Sequence, residues 1–64
     1  MLFEEFDVVR SIKSLSENVP SGSKGTILFV GDENSLSYLV EFVEDGETLD
    51  ILEVKQSDLV PFRE

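Results

Sequence analysis

The side chains able to do chemistry in this chain are almost all carboxylates. Asp and Glu make up 14 of 64 residues, against 5 Lys and Arg, and there is neither His nor Cys. The commonest general bases and nucleophiles are therefore missing. Carboxylate pairs can do acid–base work, but at this density some pairs arise by chance, and the chain reads as non-enzymatic. Two clusters carry the oxygen donors of a cation site: Asp32-Glu33-Asn34, and Glu44-Asp45 with Glu47. Calcium takes about six to eight oxygens, supplied in the best-known case by a twelve-residue loop. These short clusters offer too few, so they read as solvated turns, with no metal and no cofactor expected. Ser21-Gly-Ser-Lys-Gly25 has the look of a phosphate cradle but lacks its glycine spacing and its following helix. It reads as a flexible loop with Lys24 exposed.

The charge points outward, to partners. A net charge of −9 repels phosphate backbones and anionic lipid, so neither direct nucleic-acid binding nor a membrane surface is expected. The acidity serves solubility, or it complements a basic protein and speeds encounter with it. Three acids fall in the first seven residues, where a secretory signal would have a basic start and then an apolar run. No apolar stretch approaches the length of a membrane span. The absence of cysteine removes disulfides and any argument for an oxidising compartment. The expectation is one cytoplasmic domain over residues 1–64, with a single thin core.

The elements that must position these groups lie between Gly25 and Val54. Gly25-Thr-Ile-Leu-Phe-Val-Gly31, Leu36-Ser-Tyr-Leu-Val-Glu-Phe-Val43 and Thr48-Leu-Asp-Ile-Leu-Glu-Val54 are rich in β-branched and aromatic residues. Short polar turns separate them, which predicts an antiparallel meander. Asp45-Gly46 between two apolar runs is a strong hairpin signal. Upstream, Asp7-Val-Val-Arg10 reads as a short strand. Met1 to Phe6 fits one helical turn or an extended lead-in equally. Ser11 to Leu15 carries a weak helical pattern, and Val19-Pro20-Ser21-Gly22-Ser23 is a loop. Downstream, Ser57 or Asp58 caps a single 3-10 turn. Leu59-Val60-Pro61-Phe62 makes a last short strand, with Pro61 marking an edge.

This order predicts an all-β fold: a small five-stranded SH3-like barrel with a long first loop and a short 3-10 turn before the last strand. Closure would remove free sheet edges. Tyr38, Val40 and Phe42 share one face of their strand, the expected core face, while Leu39, Glu41 and Val43 share the other. Ile27 and Phe29 share a face opposite Thr26, Leu28 and Val30. Leu28 and Phe29 both point inward only if a bulge intervenes.

Asp7-Val-Val-Arg10, Val19-Pro20, Gly25-Thr-Ile, Tyr38 with Val40-Glu-Phe-Val43, Asp45-Gly-Glu-Thr48 and Ser57-Asp-Leu59 with Pro61 together resemble a small bacterial SH3-like family. That family is catalogued as domain of unknown function 4926. The likeness runs from Phe6 to Pro61 and implies a small β-barrel. Members are similar to small proteins encoded beside bacterial toxins, which implies an immunity or antitoxin role. Members usually carry a charged or polar residue where this chain has Phe29 and Leu39.

Those two departures mark the candidate site. Phe29 and Leu39 on neighbouring strands, rimmed by Glu41, Glu53 and Asp50, have the anatomy of an interface, with apolar anchors inside a charged border. Asp32, Glu33, Glu44, Asp45 and Glu47 in the meander turns extend the acidic border. The expected partner is a basic protein, such as a toxin. The alternatives are a structural accessory subunit of a larger assembly and an acidic mimic of nucleic acid. Proline-peptide binding is not expected, because no aromatic residue lies between Asp7 and Ile27.

Overall fold

A computed structural model describes residues 3–31 and 36–63. It contains five strands: β1 (Val8–Ser11), β2 (Lys24–Val30), β3 (Ser37–Glu44), β4 (Glu47–Lys55) and β5 (Leu59–Pro61), with a 3-10 turn at Gln56–Asp58. All neighbours pair antiparallel, in the order β4-β3-β2-β1-β5. The fold is thus all-β, and β4 and β5 lie at the ends of the sheet order. Among the described residues no helix is long and apolar enough to cross a membrane.

The meander forms as its turn chemistry dictates. Asp45 and Gly46 have φ of 52° and 82°, so both central turn residues are left-handed. This is the geometry whose twist matches a two-residue hairpin, and Asp-Gly tolerates it. Glu44 then stands opposite Glu47. Ser11 to Leu15 does not form a helix. Ser11 ends β1, and its buried hydroxyl donates to Pro20 O while accepting Ser23 N–H at 3.2 Å. A serine that bonds the loop in this way competes with helical pairing. The loop is ordered by these bonds, and it delivers Val19 to the core, fully buried.

The core lies on one side of the sheet. Val9, Ile27, Tyr38, Val40 and Phe42 are fully buried, with Val54, Leu59 and Phe3 nearly so. Tyr38, Val40 and Phe42 therefore do share the inner face. Gly25 is required where β2 pairs with β3 opposite Phe42: a Cβ there would lie 2.6 Å from Val40 Cγ1 and 2.9 Å from Phe42 Cδ1. The lead-in is a turn, with Phe6 at φ 70° and its N–H bonded to Ile27 O at 2.7 Å. It lays Phe3 edge-on against Tyr38, ring centroids 5.4 Å apart. The Tyr38 hydroxyl accepts Phe3 N–H at 3.3 Å and donates to Gln56 Oε1 at 2.8 Å.

Two bulges correct the simple alternation. On β2 the register shifts between Ile27 and Phe29, leaving Leu28 unpaired. Ile27 turns in and Phe29 turns out, so these two do not share a face as alternation predicts. The extra residue reverses the side-chain alternation: Leu28 and Val30 are both half-buried, and Val30 packs on the core. On β4 a second shift, opposite Phe42 and Val43, leaves Leu49 unpaired and packed against the core.

Candidate protein-binding face

The outer face is built from the residues of β3 that the core does not use. Leu39 stands between Phe29 on β2 and Glu53 on β4. In the next row Glu41 stands between Thr26 and Ile51, and beyond it Val43 stands between Lys24 and Thr48. Phe29 is 60% exposed, Leu39 38% and Ile51 49%. Leu39 and Ile51 are diagonal neighbours across the β3–β4 pair, within reach of one another at about 7–8 Å. The three form an apolar diagonal running from β2 to the β4 end of the sheet.

Carboxylates border that diagonal. The Thr48 hydroxyl donates to Glu41 Oε2 at 2.6 Å, which fixes one of them beside Ile51. The Ser37 hydroxyl donates to Glu53 Oε2 at 3.5 Å, drawing the other beside Leu39. Neither forms an ion pair among the described residues, where the one salt bridge is Lys13 with Asp58 at 3.6 Å. The border is therefore negative and free to meet cations from outside.

The other acids named from sequence fall elsewhere. Glu44, Asp45 and Glu47 are exposed at the hairpin tip. Glu44 lies five positions along β3 from Leu39, about 17 Å at the usual rise. Glu44 and Asp45 instead line a groove of about 560 Å³, shared with Lys24, Leu49 and the loop residues Pro20 to Ser23. Asp50 stands opposite Phe42, and its Oδ1 accepts Ile51 N–H at 2.9 Å. Asp32 and Glu33 lie outside the described residues. No group of three or more His, Cys, Asp or Glu among the described residues is placed to hold a metal ion.

Two features of the face escaped the sequence reading. Ile51 was missed as the third apolar anchor, although its spacing from Glu53 already places both on one side of β4. The basic end of the face was also missed. Arg10 and Lys24 are register partners, and each lies 4.9 Å from the centroid of the Phe62 ring. Phe62 reaches them because its N–H bonds Val8 O at 3.0 Å, carrying the β5–β1 pairing one residue past Pro61. Nothing in the local sequence links a C-terminal Phe to these two cations.

An all-β antiparallel sheet with a packed inner side, and an outer side mixing exposed apolar side chains with carboxylates, defines a small sheet domain. The chain belongs to the family described as domain of unknown function (DUF4926), whose sequence model matches residues 5–61. No curated protein and no solved structure matches the chain.

Proposed function

We propose that this chain is a non-enzymatic protein-binding module. Its outer sheet face docks on a basic protein and acts by covering that partner's surface, as an immunity or antitoxin protein covers a toxin. The observation that carries the reading is the exposed Phe29–Leu39 register pair, continued diagonally by Ile51 and bordered by Glu41 and Glu53. Large apolar side chains on a sheet's water-facing side cost solubility, and an apolar centre inside a polar rim is how interfaces are built. The net charge of −9 supplies long-range attraction to a basic partner. The reading includes an SH3-like curl of the sheet, supported by the long first loop and the 3-10 link into β5. It also includes a cytoplasmic location, in keeping with a sequence that has no cysteine to form disulfides.

The test begins with co-purification from the native cell at low salt and identification of the bound protein by mass spectrometry. Association and dissociation rates are then measured with that protein. Phe29→Ala with Leu39→Ala should weaken binding by about 2 kcal/mol or more, the scale of interface anchors. Raising salt should slow association steeply, since charge steering is screened over about 10 Å at 0.1 M. A partner that is not basic, or a double variant that binds as the wild type does, overturns the reading. Association indifferent to salt points to the accessory-subunit contact, and competition by DNA for the same partner points to nucleic-acid mimicry.

A further inference from the structure

The sheet order ends at β4, and the backbone of that strand has a side that no neighbour among the described residues uses. Its polarity can be worked out. Gln56 N–H bonds Leu36 O at 2.8 Å, and Ser37 pairs with Lys55. In an antiparallel pair, hydrogen-bonded and non-hydrogen-bonded positions alternate. Above the Leu49 bulge the even-numbered residues of β4 therefore bond β3, and Ile51, Glu53 and Lys55 direct their N–H and C=O groups away from it. Two further bonds agree with this assignment. Gly31 N–H bonds Ser37 O, which places the odd residues of β3 toward β2. The Ile51 N–H, left out of the ladder, is taken by the side chain of its neighbour Asp50.

Resting on the reading of this chain as a binder of basic proteins, we propose that the partner adds an extended, basic strand to the free edge of β4. The occupant follows from what surrounds the edge. Glu47, Asp50 and Glu53 lie along β4 against one base, Lys55. Register puts Glu47 and Asp50 on the Phe42 side of β4 and Glu53 on the Leu39 side. A second copy would set carboxylates against their own kind, whereas a strand carrying Lys or Arg at alternate positions would meet Glu47 and Asp50 with opposite charge. The remaining positions of such a strand would be apolar and would extend the diagonal of Phe29, Leu39 and Ile51 by one more strand. Main-chain bonding supplies affinity in strand addition, and alternate side chains supply selectivity. Asp50 holds the edge in the free protein, as a carboxylate does where a sheet must not pair indiscriminately. The incoming strand displaces it from the Ile51 N–H. The other end of the sheet is a poorer template: β5 is three residues long and ends in Pro61.

The probe is a synthetic heptapeptide of alternating Lys and Val, with the sequence scrambled to break alternation as its control. Amide hydrogen exchange is followed by NMR in the 64-residue chain. On adding the alternating peptide, the Glu53 amide should slow by about tenfold or more, while Leu52 and Val54, already in the ladder, change little. A chemically synthesised chain with the Glu53 nitrogen methylated keeps its charges and its β3 ladder. It should fold as the parent does, by its NMR spectrum, and lose at least about tenfold in peptide affinity. If the peptide shifts the signals of Phe29, Leu39 and Ile51 with no protection at Glu53, docking is to the face alone; the strand proposal falls and the binding-module reading stands. If the peptide binds neither face nor edge, both fall. Protection at Glu53 that appears without peptide and grows with protein concentration makes the occupant a second copy and overturns the choice of a basic strand.

Discussion

The two sides of β3 differ by one residue in sequence and by almost everything in environment. Tyr38, Val40 and Phe42 are sealed from water, while Leu39, next to them in the chain, is 38% exposed and Glu41 holds a carboxylate among solvent and Thr48. Both sides carry large apolar groups, so hydrophobicity alone does not separate core from exposed face. What separates them is the second layer. The first loop and the lead-in bring Val19 and Phe3 over the inner side, and nothing among the described residues comes over Phe29, Leu39 and Ile51. Replacing residues on each side in turn gives opposite expectations for stability and for binding.

The largest loss is expected inside. Phe42→Ala removes a fully buried ring and leaves a cavity, a change that costs about 3–5 kcal/mol. A chain of this length has only about 3–10 kcal/mol in all, so the urea midpoint at 25 °C should fall by at least about a third, to complete loss of the transition. A retained transition with a midpoint near the wild type's would place Phe42 outside the core.

A smaller loss tests how the core is closed at its end. Tyr38→Phe keeps the ring against Phe3 and deletes the hydroxyl that joins Phe3 N–H to Gln56 Oε1. Leaving a buried donor without its acceptor costs about 1–2 kcal/mol. The urea midpoint should fall with the slope unchanged, and exchange of the Phe3 amide should quicken.

The smallest effect belongs to the outer side. Leu39→Ala gives up one exposed cross-strand contact with Phe29, a pairing worth roughly 0.2–1 kcal/mol. Its thermal midpoint should stay within a few degrees of the wild type's, while, on the proposed reading, its affinity for a basic partner drops. A stability loss as large as that of Phe42→Ala would erase the distinction between the two sides.

The legible parts of the fold were those fixed locally. Asp45-Gly46 selects its turn through backbone preferences carried by two residues, and the alternation of Tyr38, Val40 and Phe42 follows from the pleat of a single strand. The weak helical pattern at Ser11 failed because its outcome depended on Pro20 O and Ser23 N–H, which only the folded loop brings to the Ser11 hydroxyl. The site was legible in the same proportion. Phe29 and Leu39 could be named as departures from expectation, but their direct opposition rests on a bulge at Leu28 that no alternation rule locates. The acids of the hairpin tip were grouped with them by charge, and the length of β3 separates them.

By itself, the order of residues determined an acidic, cysteine-free chain of short strands and tight turns, because composition and turn preference act within a few neighbours. The tertiary structure decided which apolar residues are covered, which strands end the sheet order, and that Arg10 and Lys24 meet over Phe62. Those outcomes depend on register between strands distant in sequence. Register is set by the closing of the core as a whole, where two bulges shift which side chains face water.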